Sequence, residues 1–191
     1  MSKSPSSLRL GGLSWGLAAL LMLVGAVALA GGQKALQYTN SLEFCISCHE
    51  MKEQNYNEYK DTIHARNRSG FKAVCADCHV PHGGLDSLVR KVGASTDVLQ
   101  HVLGTIDTPQ KYEARRLEMA KEVWRTMKQT DSRECRSCHD VKAMDPQLQG
   151  KTAQKQHLKL DDGQHTCIDC HFGIAHHEPA GGVEPRDVVT R

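Results

Sequence analysis

All eight cysteines of the chain fall into four copies of one pattern: Cys45 with Cys48, Cys75 with Cys78, Cys135 with Cys138, and Cys167 with Cys170. A histidine follows each pair at once, at His49, His79, His139 and His171. This CxxCH signature is that of covalent c-type haem attachment. Two thiols reach the two vinyl groups of one porphyrin, and the adjacent histidine can swing beneath the ring to ligate iron. Zinc knuckles also use CxxC but do not require histidine at the next position four times over, and no cysteine is left for a disulfide. The expected cofactors are therefore four covalently bound haem c groups.

Such groups would also explain a thin composition. Aromatic residues make up only 5% of the 191 residues, and much of the apolar content sits in one N-terminal run. The remaining chain has little side-chain material for a core, and large apolar macrocycles can supply it. A net charge of +2 gives neither the basic excess of a nucleic-acid partner nor an acidic tail.

Between Arg9 and Lys34 no residue is charged. As a helix this run would reach about 36 Å, enough to cross a hydrocarbon core of about 30 Å with some tilt. Lys3 and Arg9 precede it and place the N-terminus in the cytoplasm by the positive-inside rule. The alternative is a cleaved signal peptide ending at Ala28-Leu29-Ala30, but the run exceeds the usual length of a signal core. Either reading exports the cysteines. Gly12 and Gly16 form a GxxxG, which can bring two membrane helices together into a homodimer.

Around the motifs lies a repeat. One unit runs through the first motif, His64, the second motif and His82; the other runs through the third motif, His157, the fourth motif and His176. From the extra histidine to the next motif is 11 residues in one unit and 10 in the other. The repeat selects His64, His82, His157 and His176 as distal iron ligands, one for each haem. His101, His165 and His177 have no counterpart and are expected to be solvated, although His177 adjoins His176 and could exchange roles with it. Met51, two residues after the first motif, offers a thioether that can also ligate haem iron, in which case His49 or a spare histidine would be released.

The fold expected is mainly α with extensive loop: a single transmembrane helix, then a haem-packed tetrahaem cytochrome c domain of two dihaem units. The boundaries are a cytoplasmic segment at 1–10, an anchor at 11–33, a periplasmic domain at 34–177 and a flexible tail at 178–191. Within the domain, dihaem units at about 41–84 and 131–177 flank a helical connector at about 85–130. In the connector Asp107 or Thr108 can cap a helix, Pro109 suits its first turn, and Tyr112, Leu117, Ala120, Val123, Trp124 and Met127 recur on one face. A further helix is expected from about Glu50 to Arg66. No strand pattern of useful length appears.

The chain resembles the NapC/NirT family of membrane-anchored tetrahaem quinol dehydrogenases, and within it the branch serving periplasmic nitrate reduction. The residues that carry this are Glu43-Phe44-Cys45-Ile46-Ser47-Cys48-His49-Glu50-Met51, Cys78-His79-Val80-Pro81-His82, the segment Ile106 to Met119, and Cys167-Ile168-Asp169-Cys170-His171 with Gly173-Ile174-Ala175-His176. The resemblance implies that membrane quinol, menaquinol or ubiquinol, is oxidised near the first haem and that electrons pass to a periplasmic reductase, nitrate reductase first and nitrite reductase next. It implies the inner membrane of a Gram-negative bacterium, the haem domain in the periplasm, and the lipid bilayer but no nucleic acid as partner. It also implies the same four distal histidines. A related branch that forms ammonia from nitrite uses the methionine of CxxCHxM at its first haem. Relatives place a lysine and a carboxylate of the quinol site after the second motif; by position these are Lys91 and Asp97. A reductase with an open iron is disfavoured, because the histidines suffice to close every iron.

Overall fold

The computed structural model describes residues 15–163 and 165–189. The expected cytoplasmic segment and Gly12 of the GxxxG lie outside these residues. The chain divides into two units, the first ending at Thr39 and the second running from Asn40 to the C-terminus.

The first unit is helix α1, Trp15–Tyr38, whose side chains are all unburied. Its 24 residues are long and apolar enough to cross a membrane. It runs past the expected end at residue 33, because Lys34, Ala35, Leu36 and Gln37 all favour helix and neither proline nor glycine intervenes.

The second unit is helical and irregular, with no strand among the described residues. It begins with α2, Leu42–Cys45, where the Ser41 hydroxyl accepts from the Phe44 amide at 3.2 Å. A π-helical turn, Met51–Tyr56, and a short α3, Asn57–Tyr59, follow. The helix expected as far as Arg66 stops here. Thr62 and Ile63 are β-branched, and the His64 carbonyl is taken by the Ala73 amide at 3.0 Å and the Tyr59 hydroxyl at 3.1 Å. Tertiary bonds have outbid the helix for that backbone.

Next come α4, Cys75–His79, α5, Gly84–Gly93, α6, Ser95–Val102, and the long α7, Pro109–Gln129. Of the two capping residues weighed for α7 the structure selects Thr108, whose hydroxyl accepts from the Lys111 amide at 3.3 Å, with Pro109 in the first turn. Helix α7 buries Tyr112, Arg116 and Trp124. Trp124, Ile168 and Val188 form the apolar core, with Leu117, Ala120, Met127, Phe172 and Val183 packed against it. The segment after Glu178 is irregular apart from a 3₁₀ turn at Pro185–Asp187, yet Pro185 and Val188 are buried. The Lys128 ammonium ties it down by donating to the carbonyls of Pro185 and Val188 at 3.1 and 3.0 Å.

Helix α8, Arg133–Arg136, and helix α9, Lys151–His157, complete the unit. The buried apolar side chains elsewhere are few and several are small: Tyr59, Ala65, Ala73, Ala76, Ile106 and Tyr112. Protein side chains alone make a modest core here.

Candidate haem sites

Each motif is set on a short helical turn, and two of the four are wound by the same device. The Asp77 carboxylate accepts from the Val74 amide at 2.7 Å, and the Asp169 carboxylate accepts from the Thr166 amide at 2.9 Å. The aspartate between the two cysteines thus folds back on the residue before the first, closing the turn that carries both thiols. The third and fourth motifs are also joined directly. Ser132, fully buried with a left-handed backbone, accepts from the Thr166 hydroxyl at 2.6 Å and the Ile168 amide at 3.2 Å, on either side of Cys167.

The motifs abut in chain order. The Cys45 and Cys75 thiols neighbour each other, Cys78 lies within the electrostatic reach of Cys138, and the Cys135 and Cys167 thiols neighbour each other.

Three motif histidines each face one non-motif histidine. Ring centroids are 6.1 Å apart for His64 and His139, 6.2 Å for His79 and His176, and 6.1 Å for His157 and His171. Two metal–nitrogen bonds of about 2 Å, plus about 1 Å from nitrogen to ring centre on each side, span about 6 Å, so each gap has the size of one six-coordinate iron. Burial favours the neutral form of three of these rings. Burial pushes His79 down to about 4, helped by the facing His176, and burial likewise lowers His64 and His176. Neutral rings keep the lone pair that a metal needs. The His157 Nδ1 is engaged by the Gln149 side-chain oxygen at 2.7 Å, which orients the ring with Nε2 available. A cavity of about 430 Å³ is lined by His139, His157, Val141, Met144, Leu158 and Arg136, an apolar wall with a cation at its edge. The donor set and the spacing both fit haem.

The pairs cross the repeat. His64, between the first two motifs, meets the third motif, and His176, after the fourth, meets the second; only His157 with His171 stays within one unit. His82 is placed against Ser137, its Nε2 3.2 Å from the hydroxyl oxygen.

The first motif is built differently. His49 Nε2 lies 3.1 Å from the Asp107 carbonyl and its Nδ1 lies 3.4 Å from the Glu50 carboxylate, so both ring nitrogens face acceptors. The Asp107 carbonyl, with burial opposing and Glu50 assisting, holds the His49 imidazolium up, the reverse of His64, His79 and His176. Asp107 is placed by the turn before α7: Gly104 has φ +62°, and a Cβ there would stand 2.9 Å from the Asp107 carboxylate. Lys111 bonds both the Gly104 carbonyl, at 2.8 Å, and that carboxylate, at 2.7 Å.

His101, expected to be solvated, is bound to Glu50, Nδ1 to carboxylate at 2.8 Å, and its ring is 6.0 Å from that of His49. Glu50 is buried, its side chain only 2% exposed; the sequence carries it in the stretch Glu43 to Met51 without giving it a role. Met51 opens the π-helical turn, a form frequent at functional sites, and its sulfur accepts from the Asn55 amide at 3.3 Å. Lys91, in the last turn of α5, donates to the Asn40 side chain at 2.7 Å, and burial lowers its ammonium, with Cys45 opposing. Asp97 stands exposed in the first turn of α6.

The family model described as NapC/NirT cytochrome c family, N-terminal region, matches residues 11–181. The chain belongs to the NapC/NirT cytochrome c family. It is 48% identical over 163 residues to the denitrification system component NirT of Stutzerimonas stutzeri, covering 85% of this chain and 81% of that protein. It is 48% identical over 179 residues to the cytochrome c-type protein NapC of Escherichia coli K12, covering 93% and 86%. A putative tetraheme cytochrome c of Allochromatium vinosum is 48% identical over 172 residues, covering 90% and 91%. No solved structure matches the chain. As a NapC/NirT protein it is a membrane-anchored cytochrome with covalently bound haem c.

Proposed function

We propose that this chain is a quinol dehydrogenase: a cytoplasmic-membrane protein that oxidises quinol beside its first motif and delivers electrons outside the membrane to a periplasmic reductase, with nitrate reductase as the acceptor. Four haem c groups, one for each motif, supply one-electron carriage when bound. The observation that carries the reading is the contrast among motifs. Three have a facing pair of histidines spaced to close an iron on both sides, which suits relay and leaves no face for a substrate. The first has its motif histidine held by Glu50 and Asp107 and lies beside Lys91, which is bonded to Asn40, two positions after the end of α1.

His64, His139, His79, His176, His157 and His171 are the ligands of the second, third and fourth motifs. At the first, Met51 ligates in place of His49, whose two nitrogens are both committed to acceptors. His82, bonded to Ser137, is then released from the ligand set. Lys91 and Asp97 serve the quinol, Lys91 by hydrogen-bonding its oxygen and Asp97 by taking a proton.

Likeness to the denitrification component NirT supports a nitrite reductase as a second acceptor. The test is to reduce membranes containing the protein with quinol and mix them with purified nitrate reductase or nitrite reductase under stopped flow. Reoxidation of the haem band by nitrate reductase at the turnover rate supports the assignment. Reoxidation by nitrite reductase alone reassigns the acceptor, and failure of quinol to reduce the haems ends the quinol reading.

A further inference from the structure

Helices α5 and α6 are inside out. On α5, Leu85, Leu88, Val89 and Val92 form an i, i+3, i+4, i+7 stripe and are 73%, 43%, 63% and 74% exposed, while Ser87 is buried and Arg90 and Lys91 are half-buried. On α6 and the residue after it, Val98, Leu99, Val102 and Leu103 are 60%, 53%, 74% and 63% exposed. Two polar residues of that helix are taken up by the domain: Gln100 accepts from Thr105 and Arg115, and His101 is bonded to Glu50, while Ser95, Thr96 and Asp97 in its first turn are exposed. A helix facing water places these classes the other way round.

A prosthetic group at the first motif is not what covers the stripe. Glu50 and Cys48 meet α6 at His101. At 100° per residue Val98, Leu99, Val102 and Leu103 centre about 130° round that helix from His101. The occupant is therefore something outside the domain.

Two observations choose it. Lys91 binds Asn40, and Asn40 follows the last residue of α1, Tyr38, by two positions, so α5 is tied to the stretch of chain that leaves the membrane-length helix. The stripe is also leucine and valine alone, without the tyrosine, tryptophan or arginine anchors that concentrate binding energy at protein interfaces. We infer that α5 and α6 lie in the interfacial layer of the bilayer that holds α1, with their aliphatic stripe in the acyl region, as a second, monotopic membrane contact of the haem domain. Such helices sit about 5–10 Å into the headgroup boundary. The inference rests on α1 being an anchor. It deepens the quinol reading, because the inward faces of the same helices carry His101 and Lys91.

The test uses the full-length holoprotein in native membranes, with a photoreactive benzophenone amino acid placed singly at Val92, at Val102, at Leu23 of α1, and at Val189, an exposed apolar residue away from the stripe. After illumination, mass spectrometry reads phospholipid adducts in protein whose haem content is unchanged. Adducts at Val92 and Val102 as at Leu23, with none at Val189, support the inference. Adducts at Leu23 but none at Val92 and Val102, or protein–protein products there, overturn it and leave the anchor intact. Absence of lipid adducts at Leu23 as well overturns the anchor reading and this inference with it.

Discussion

The Ser132 hydroxyl accepts a hydrogen bond from the Ile168 amide, 3.2 Å away, so the turn that leads into the third motif also holds the turn of the fourth. Ser132 is fully buried, and in Ser132→Ala the Ile168 amide and the Thr166 hydroxyl lose their acceptor inside the protein. The expected cost is about 1–3 kcal/mol. Denaturant unfolding of the holoprotein measures it, and an unchanged midpoint would show that the amide finds another partner.

Arg116 carries a second join. It pairs with Glu58 at 2.5 Å and with Glu113 at 2.7 Å, and the Arg116 and Glu58 side chains are only 9% and 10% exposed. Glu58 also accepts from the His177 amide at 2.9 Å, which fixes the backbone next to His176. Removing one partner leaves an uncompensated charge, so Arg116→Met is expected to cost about 3 kcal/mol. Burial opposes ionisation of Glu58, but Arg116 and the His177 amide outweigh it and hold the carboxyl below its usual range. A depressed folded-state value contributes stability that is present above the unfolded value of about 4.3 and is lost as pH falls through the folded value. Glu58→Gln should therefore be less stable than the parent at pH 7, and the gap should narrow below about pH 4. A gap independent of pH would assign the effect to packing.

How far the sequence carried these conclusions depends on the distance over which each signal acts. The motifs are local covalent chemistry, and Cys45 to His49 announces itself without a fold. The cap at Thr108 and the core stripe of α7 are likewise local. The match between His79 and His176 is a tertiary contact between residues far apart in the chain, and a repeat in spacing carries no information about crossing. The role of Glu50 was invisible because an acidic residue after a motif reads as solvated until burial and the His101 ring are seen. The loss of helix after Tyr59 depended on partners for the His64 carbonyl that lie across a turn. The inverted face of α5 was read as part of a connector, since periodicity locates an apolar stripe but not which side faces out.

Opening one iron should be visible by ligand binding. His64→Ala, leaving His139 without its facing ring, is expected to add one carbon monoxide-binding haem to those of the parent, while His82→Ala, whose ring meets Ser137, leaves binding as in the parent. Difference spectra of the reduced proteins read the stoichiometry. Equal effects of the two changes would return His82 to the ligand set.

The first haem offers a sharper comparison. With Met51 as the one protein ligand of its iron, the first haem is high-spin in the parent, so Met51→Leu should change that high-spin signal and His49→Ala should leave it intact. Electron paramagnetic resonance of the oxidised protein separates the two, and the opposite pattern would seat His49 on iron.

Lys91→Gln and Asp97→Asn are each expected to slow quinol oxidation at least tenfold without changing haem content or reduction by dithionite, in line with the usual contribution of a positioned acid–base group. Steady-state quinol oxidation in membranes supplies the measurement. Normal rates in both variants would move the quinol site elsewhere, with the inward groups Glu50 and His101 next in position.

The crossing of the histidine pairs has a consequence for biogenesis. A chain exported from its N-terminus delivers His79 long before His176 and delivers His64 before His139, so neither of these pairs can close until the later half has emerged. Attachment at the second motif would thus precede its final coordination, and premature release would leave a reactive iron facing solvent. The C-terminal segment, clasped to α7 through Lys128, Pro185 and Val188, would then act as the last latch of assembly.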